Sequence, residues 1–422
     1  MYDNSQKTEK AILVGVCRNL ADRLSDTTSE SMRELGCLAE TAGAEVLGEI
    51  TQNREAPDKA TFVGEGKLSE ISEAAETLGA NLVIFDDELT GSQLKNIENV
   101  LGDKIRVIDR SALILDIFAS RALSGEGKLQ VELAQLKYNL PRLSGGYSSL
   151  SRLGGGIGTR GPGETKIETD RRYIRTRISA LEREIDSLKR HRDLIRQGRR
   201  KREVKVAALV GYTNSGKSTL LNKLTGAGVL AQDMLFATLD PTTRAYILPD
   251  GREIALVDTV GFIRKLPHHL IEAFKSTLEE AVLSDVLIHV IDSVSEEREN
   301  QIKVVENLLS ELGCDGKPII SVFNKTDECG DFLPRPSYPE KSVFISAKNG
   351  DGLDEFAELL CDTVPGRRRK MVIMVPYTDS AVISDIRKCD SLVSEEFTPD
   401  GTLLHIMADD KAYKEYKKYL YE

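Results

Sequence analysis

Short apolar runs alternate with helix-like patterns over the first part of the chain. Strand-like runs and helical periodicities follow one another in this order: 11–16, 29–41, 81–85, 93–101 and 104–108. Short apolar runs of this kind are typical of buried strands, and their alternation with helices is typical of a parallel sheet. The pattern predicts an N-terminal α/β domain over residues 1–125.

Two later segments carry apolar stripes with the spacing of a coiled coil. The stripes comprise Leu129, Leu133, Leu136 and Leu140, and then Ile174, Ile178, Leu181, Ile185 and Leu188. Neither helix can bury its stripe alone, so we predict an antiparallel helical hairpin over residues 126–202. Residues 144–163 would form its glycine-rich tip loop. The alternative is that each stripe packs on a neighbouring domain.

Strand-like and helical patterns return in the second half of the chain. Residues 203–365 alternate in the manner of another α/β domain, for which we expect a mixed, mostly parallel sheet. Residues 366–422 combine strand-like runs at 371–377 and 403–407 with helical stretches, which predicts a small C-terminal α+β domain. The predicted fold class is therefore a multidomain α/β protein.

Composition narrows the functional classes that fit this chain of 422 residues. Its formal net charge is −10, which excludes a protein that coats nucleic acid uniformly, so RNA binding would need a local basic patch. The 6 cysteines show no C-x-x-C spacing, so neither a zinc site nor a disulfide framework is predicted. No apolar run approaches the ~20 residues of a membrane span. We expect a cytoplasmic protein that can also have a peripheral membrane-associated fraction.

Candidate chemistry begins with a glycine-rich segment. The apolar run 206–210 leads directly into Gly211-Tyr-Thr-Asn-Ser-Gly-Lys-Ser218, which has the G-x-x-x-x-G-K-S pattern of a phosphate-binding loop. Glycines let backbone N–H groups turn toward the phosphates, Lys217 supplies charge to the β- and γ-phosphates, and the Ser218 hydroxyl is suited to Mg²⁺. The motif predicts a bound nucleoside triphosphate and leaves the base open.

A second element, Asp258-Thr-Val-Gly261, ends another apolar run. Asp258 is suited to hold Mg²⁺, usually through water, and the N–H group of Gly261 is suited to contact the γ-phosphate. A threonine from residues 236–244 is also expected to close on the metal and the γ-phosphate. Thr238 is our choice for this role, with Thr242 and Thr243 as alternatives.

The base is indicated by Asn324-Lys-Thr-Asp327, which follows the apolar run 319–323. The carboxylate of Asp327 can accept hydrogen bonds from the N1–H and 2-amino groups of guanine, whereas adenine lacks this pair of donors. Ser346-Ala-Lys348 fits the loop whose backbone contacts guanine O6. These elements in this order predict a GTP-binding and GTP-hydrolysing protein.

Two residues near these motifs bear on hydrolysis. Phe262 stands where many GTPases carry a glutamine that orients water. Its ring cannot position water by hydrogen bonding, so we predict slow intrinsic hydrolysis that a partner completes. Asn214 is a candidate ligand for K⁺ in place of an arginine finger, and an ordinary turn asparagine is the alternative.

The predicted site can be stated by role. Catalytic residues are Lys217, Thr238 and Gly261, and the ligands of Mg²⁺ are Ser218, Thr238 and Asp258. The predicted nucleotide-binding residues are Gly211, Tyr212, Thr213, Asn214, Ser215, Gly216, Lys217, Ser218, Thr219, Phe236, Ala237, Thr238, Leu239, Asp258, Thr259, Val260, Gly261, Asn324, Lys325, Thr326, Asp327, Ser346, Ala347 and Lys348.

A basic, glycine-rich region predicts an RNA partner. Between residues 144 and 163, 8 of 20 residues are glycine and none is acidic. Residues 171–202 contain 11 Arg and 2 Lys against 4 acidic residues, a local net charge of +9 in an acidic chain. The alternatives are a flexible linker and a solvated helix face. The predicted RNA-binding residues are Arg152, Gly154, Gly155, Gly156, Arg160, Gly161, Arg171 and Arg172.

The nucleotide motifs and several segments outside them resemble the HflX family of translation-factor-class GTPases. The most specific segment is Gly154-Gly-Gly-Ile-Gly-Thr-Arg-Gly-Pro-Gly-Glu164, and the others are 109–110, 113–119, 121–122, 126–136, 168–172, 236–244 and 258–264. The resemblance runs from about residue 11 to residue 365. It implies a GTPase that binds the large (50S) ribosomal subunit and its rRNA near the peptidyl-transferase centre, and that splits or rescues stalled ribosomes under stress. We expect a monomer.

Two other functions remain open at this point. An RNA-modifying GTPase would need a cofactor site or a catalytic cysteine outside the nucleotide domain, and neither is evident in the sequence. A regulatory scaffold would bind GTP without turning it over. A GTPase that remodels membranes is disfavoured, because no amphipathic or membrane-spanning segment is evident.

Overall fold

The structure is a computed structural model that describes most of the chain. The described residues are 8–18, 27–143, 166–201, 204–226, 236, 242–265, 275–330, 341–388 and 392–421. Within these residues, the architecture is a multidomain α/β fold with three sheets. The predicted fold class is confirmed.

A four-stranded parallel sheet forms the N-terminal part. In chain order its elements are β1 Lys10–Cys17, α1 Thr27–Thr41, β2 Glu45–Asn53, α2 Glu65–Leu78, β3 Leu82–Phe85, α3 Gly91–Leu101, β4 Arg106–Asp109 and α4 Arg110–Arg121. The strand order is β2-β1-β3-β4, and apolar cores lie on both faces of the sheet. The expected strands and helices are present, while β2, α2 and α4 were not predicted, although the buried Leu68, Ile71 and Ala75 of α2 have the spacing of one helix face.

Two helices follow, α5 Gly125–Asn139 and α6 Lys166–Lys201, with a short 3₁₀ turn Leu140–Arg142 after the first. They pack as the predicted antiparallel pair, with Leu133 and Leu181 buried on the facing stripes. Arg171 donates to the carbonyl of Leu143 at 2.9 Å, so the first turns of α6 lie beside the end of α5. The helix α5 is apolar on two faces. The second face, with Val131, Ala134 and Tyr138, packs on the N-terminal core.

The third part contains a six-stranded sheet of order β10-β9-β8-β5-β7-β6. Its elements are β5 Lys205–Val210, α7 Lys217–Thr225, β6 Thr242–Ile247, β7 Glu253–Asp258, α8 Lys275–Leu283, β8 Val286–Asp292, α9 Arg298–Glu311, β9 Ile319–Asn324, β10 Ser342–Phe344 and α10 Leu353–Thr363. Every neighbouring pair is parallel except β6 and β7. The carboxyl ends of the parallel strands therefore meet at one edge, where ligands bind in such sheets.

The C-terminal part is a three-stranded antiparallel sheet of order β11-β13-β12. Its elements are β11 Arg369–Val375, α11 Ser380–Lys388, β12 Leu392–Thr398, β13 Gly401–Ala408 and α12 Asp410–Tyr416. Both helices contribute to one apolar core that contains Ile373, Ile386 and Leu404. The prediction of an α+β unit is confirmed, although β12 was not foreseen.

Among the residues that the structure describes, no helix has both the length and the apolar character needed to cross a membrane.

Candidate nucleotide site

The glycine-rich loop lies between β5 and α7, at the carboxyl edge of the six-stranded sheet. Gly211 has φ +154°, and a Cβ atom there would lie 2.3 Å from the carbonyl oxygen of Val290. Gly216 has φ +92°, and a Cβ atom there would lie 2.2 Å from Nδ2 of Asn324. Both positions need glycine, because left-handed backbone and close approach exclude a side chain. The shape of the loop is thus fixed by contacts with Val290 and Asn324.

Lys217 is the first residue of α7 and is buried inside the loop. Its ammonium group donates to the carbonyl oxygens of Gly211 at 3.1 Å and Tyr212 at 2.8 Å. Burial lowers the pKa of Lys217 to about 8, and the nearby Asp258 carboxylate opposes that shift. The side chain therefore holds a costly buried charge that an anionic phosphate would stabilise.

Ser218 and Asp258, two predicted metal ligands, converge beside the loop. The hydroxyl of Ser218 donates to Oδ2 of Asp258 at 2.6 Å, and Asp258 is completely buried at the end of β7. The following residue, Thr259, is also buried and donates to the carbonyl of Leu209 at 2.6 Å. This contact fixes the start of the Asp258–Gly261 turn against β5. A hydroxyl and a carboxylate are the hard oxygen ligands that Mg²⁺ prefers.

The predicted base-binding residues come together at the carboxyl ends of β9 and β10. The amide nitrogen of Asn324 donates to the carbonyl of Ser215 at 2.9 Å, and its oxygen accepts from the N–H group of Ala347 at 2.9 Å. Asn324 therefore joins the phosphate loop to the segment after β10. Ser346 donates to Oδ1 of Asp327 at 2.6 Å, which orients that carboxylate, while Asp327 stays exposed.

Lys325 is held by a residue that the sequence analysis did not single out. Its backbone is left-handed, with φ 67°, and its ammonium group lies 2.7 Å from Oδ2 of Asp292 at the end of β8. The other oxygen of Asp292 accepts from the N–H group of Val294 at 3.0 Å, which fixes the carboxylate. Asp292 is paired with Asn324 across β8 and β9, so its position could be found only once the sheet register was known.

The turn after Asp258 lies directly on the phosphate loop. Phe262 donates its N–H to the carbonyl of Gly211 at 3.1 Å and accepts from the N–H of Thr213 at 2.8 Å. A Cβ atom on Gly261 would lie 2.8 Å from Cα of Thr213 and 3.1 Å from Nζ of Lys217. The ring of Phe262 is buried in the core, which agrees with its predicted inability to orient water.

Some of the predicted site residues lie within the described part of the chain, and others lie outside it. Phe236 packs its ring on Phe118 of α4, with centroids 4.6 Å apart, so the ring contributes to the contact with the N-terminal part. Asn214 is exposed, with φ 61°. The predicted nucleotide ligands Ala237, Thr238 and Leu239 and the predicted RNA ligands Arg152, Gly154, Gly155, Gly156, Arg160 and Gly161 lie outside the described residues. The roles assigned to all of these residues stay predictions.

The remaining predicted residues lie in or beside the pocket. Thr213 and Ser215 are buried in the loop, Thr219 is partly exposed on α7, and Val260 is buried next to Gly261. Thr326 donates its N–H to the carbonyl of Ile345 at 3.2 Å. Lys348 accepts at its carbonyl from Lys223 at 3.4 Å. Thr242 and Thr243, the alternatives to Thr238, lie at the start of β6.

A network of polar and charged groups joins this site to helices α1 and α4 of the N-terminal part, and sequence reasoning missed it. The hydroxyl of Tyr212 donates to Glu34 of α1 at 2.6 Å and accepts from the backbone N–H of Arg264 at 2.9 Å. Arg264 also pairs with Glu30 at 2.6 Å. Burial raises the pKa of Glu34, although Arg110 lies 2.6 Å away and opposes the rise. These partners are far apart in the chain, so no local pattern signals their contact.

Comparisons with known proteins agree with this geometry. Three family models match the chain: a GTP-binding GTPase N-terminal model over residues 29–119, a GTP-binding GTPase middle region over residues 121–199, and a 50S ribosome-binding GTPase over residues 206–325. The chain is 50% identical over 401 residues to a GTPase HflX of Caldanaerobacter subterraneus subsp. tengcongensis, covering 95% of this chain and 91% of the relative. The chain belongs to the HflX family of GTPases.

Other relatives extend the comparison. A GTPase HflX of Escherichia coli is 42% identical over 407 residues, which cover 96% of this chain and 94% of that protein. A crystal structure of a GTP-binding protein from Sulfolobus solfataricus with GDP is 28% identical and covers 85% of this chain and 99% of its own, with a TM-score of 0.43. As an HflX-family protein, the chain is a P-loop GTPase that binds and hydrolyses GTP.

Proposed function

We propose that this HflX-family GTPase binds the large ribosomal subunit through rRNA and couples its nucleotide state to the splitting or rescue of stalled ribosomes. The observation that carries the proposal is the basic face of α6, where Arg172, Arg175, Arg183 and Arg190 are all exposed. The helix leads out of the glycine-rich segment 144–163, and the model over residues 206–325 is described as a 50S ribosome-binding GTPase.

Electrostatics support RNA as the partner of this face. The charge of +9 over residues 171–202 sits in a chain of net charge −10, so it is concentrated on one element. Phosphate contacts of this kind release counterions and make binding weaken steeply with salt. Arg171 has a different role from Arg172, because it donates to the carbonyl of Leu143 and so also holds the two helices together.

Hydrolysis is proposed to proceed at the loop described above. Lys217 neutralises the β- and γ-phosphates, Gly261 offers its N–H to the γ-phosphate, and Asp327 selects guanine. Ser218 and Asp258 would hold Mg²⁺, with Thr238 joining them when GTP is bound. The ion would neutralise charge on the phosphates as the terminal bond breaks. Since Phe262 is buried and apolar, water has to be positioned by something else, for which the ribosome and K⁺ at Asn214 are the candidates.

The first test is GTP hydrolysis by the purified chain with and without large ribosomal subunits. We expect turnover to rise at least about tenfold with subunits, the size of effect that completing a phosphoryl-transfer site produces. Equal turnover would contradict the proposal. Replacing K⁺ by Na⁺ tests the ion separately, and equal rates in the two salts would reject a role for K⁺.

A pair of double variants tests the RNA surface. Arg175→Glu with Arg183→Glu reverses two exposed charges on α6, and Arg33→Glu with Lys104→Glu reverses two exposed charges on the N-terminal part. We expect the first pair to weaken co-sedimentation with large subunits and to flatten its salt dependence. The second pair should leave both unchanged. Deletion of residues 154–163 should also weaken co-sedimentation while GTP affinity is retained.

A further inference from the structure

The residues that follow β3 touch two different parts of the molecule within one short stretch. We call residues 86–91 the strand-end segment and residues 139–143, which precede the glycine-rich segment, the loop root. The first residue of the strand-end segment contacts the turn after Asp258, and its later residues contact the loop root. We propose that Arg142 is a positioning residue for the loop root, from which the glycine-rich segment proposed to bind RNA begins, and that the strand-end segment couples the position of the loop root to the nucleotide site. The proposal deepens the proposed function and rests on it.

Arg142 fixes the loop root from a buried position, with 7% of the residue exposed. Its guanidinium donates to the carbonyl of Tyr138 at 2.8 Å, to the carbonyl of Leu89 at 2.7 Å and to Oε1 of Glu88 at 2.8 Å. It also stacks on the Tyr138 ring, 3.6 Å from the centroid. A planar fork of donors can satisfy these separate acceptors at once, whereas the compact ammonium of lysine cannot.

The strand-end segment makes further contacts with the residues around Arg142. The N–H group of Leu89 donates to Oδ2 of Asp109 at 2.9 Å, and Oδ1 of Asp109 accepts from the Tyr138 hydroxyl at 2.8 Å. A Cβ atom on Gly91 would lie 3.0 Å from Cα of Arg142. Both backbone groups of Leu89 are therefore committed to the cluster that holds the loop root, and the backbone of Gly91 lies against it.

The first two residues of the strand-end segment contact Lys265, which lies in the turn that follows Asp258. The ammonium group of Lys265 pairs with Asp86 and lies 3.3 Å from Oδ1 of Asp87. Asp86 is buried and also binds Arg110 at 2.7 Å and the hydroxyl of Ser31 at 2.6 Å. Lys265 has a left-handed backbone, with φ 52°, which costs about 1 kcal/mol or more for a residue with a side chain. The acidic pair holds Lys265 in that conformation.

The coupling between the nucleotide site and the loop root follows from the short distance along the chain between the residues that contact each of them. Only Asp87 separates Asp86, which holds Lys265, from Glu88, which holds Arg142. When GTP reorganises the turn that contains Gly261 and Lys265, the acidic pair loses the ammonium group of Lys265, while Asp86 keeps Arg110 and Asp87 keeps Arg18. The strand-end segment then has to readjust, and the loop root with it. In this way the nucleotide state would set the position of the loop root.

Hydrogen–deuterium exchange on the full chain tests this coupling without the ribosome. Lys265→Ala should speed exchange at residues 261–265 and also, at least about threefold, at Leu89 and the loop root, as a GTP analogue should relative to GDP. Lys303→Ala removes an exposed lysine elsewhere in the nucleotide domain and should change neither site. Faster exchange at residues 261–265 with no change at the loop root would overturn the proposal.

The second arm concerns Arg142. Arg142→Lys should speed exchange at the loop root, abolish its dependence on nucleotide, and weaken binding to large subunits about fivefold or more, with GTP affinity kept within about twofold. The control is Arg106→Lys, in an arginine that pairs with Glu9 and Asp116 at the far end of the sheet. A loop root that still responds to nucleotide in Arg142→Lys would overturn the proposal. If the unmodified chain binds no subunits, the proposed function fails, and the exchange arm still decides the coupling.

Discussion

The hydroxyl of Tyr212, inside the phosphate loop, donates a hydrogen bond to the carboxylate of Glu34 on α1 at 2.6 Å. The same hydroxyl accepts from the backbone of Arg264, just after the Asp258–Gly261 turn. One side chain of the phosphate loop therefore contacts both the turn that follows β7 and helix α1 of the N-terminal part. Any nucleotide that moves the turn has to act against this contact.

Tyr212→Phe tests the strength of this junction. It removes the donor to Glu34 and the acceptor for Arg264, and leaves a buried carboxylate without one of its partners. We expect a loss of about 1–3 kcal/mol in the free energy of unfolding, measured by denaturant titration. Tyr173→Phe, at an exposed tyrosine of α6, is the matched control and should be neutral. Equal stability of the two variants would show that the junction contributes nothing.

Gly216→Ala tests the close packing of the phosphate loop. The methyl group would strike the amide of Asn324 and would sit on backbone with φ +92°. We expect affinity for GDP to fall at least about tenfold, because the loop and the base pocket would be forced apart. Gly251→Ala has a similar strain, with φ +80°, but meets nothing within 4 Å, so it should keep normal affinity. Similar losses in the two variants would assign the effect to backbone strain alone.

The pH dependence of nucleotide affinity follows from Lys217. In the free protein burial lowers the pKa of Lys217 to about 8, and phosphate oxygens beside it should raise that pKa in the complex. The complex then binds more protons than the free protein above pH ~8, so affinity should fall as pH rises beyond that value, by up to about tenfold per pH unit. Calorimetry in buffers of different ionisation enthalpy should show proton uptake at pH ~9 and little at pH ~7. Constant affinity across this range would contradict the lowered pKa of Lys217 in the free protein.

Asp292→Asn tests the anchoring of Lys325. Without the carboxylate, the lysine stem is no longer held beside the base pocket, and we expect GDP affinity to fall about 3- to 10-fold. Asp285→Asn changes an aspartate at the start of the same strand, where it accepts from the N–H group of Val206 at 2.8 Å, and should leave GDP affinity unchanged. Normal GDP affinity in the Asp292→Asn variant would show that the ion pair between Asp292 and Lys325 does not contribute to nucleotide binding.

The sequence predicted those parts of the fold and of the site that depend on interactions between residues close together in the chain. Strands that run directly into glycine-rich or polar motifs gave the phosphate loop, the Asp258 turn and the Asp327 segment, since each motif lies at the carboxyl end of a strand that apolar runs identify. The facing stripes that contain Leu133 and Leu181 gave the helical pair by the same reasoning. These features depend on residues that are close together in the chain.

The parts that were missed depend on long-range contacts. Glu34, Asp86 and Arg110 act on the nucleotide site only because the sheets place them beside Tyr212 and Lys265, and Asp292 meets Lys325 only through strand register. No periodicity or spacing encodes such partners. The strand β12, which bears two glutamates and an exposed Phe397, lacked the alternation that would have marked it.

The most direct test of the account is the base preference of Asp327→Asn. An asparagine at this position would donate to the 2-oxo group of xanthine and no longer accept from the 2-amino group of guanine. Competition binding with GDP and XDP should show that the original chain prefers GDP and that the variant prefers XDP. A variant that keeps the GDP affinity of the original chain would contradict the assignment of the guanine pocket to Asn324, Asp327 and Ser346.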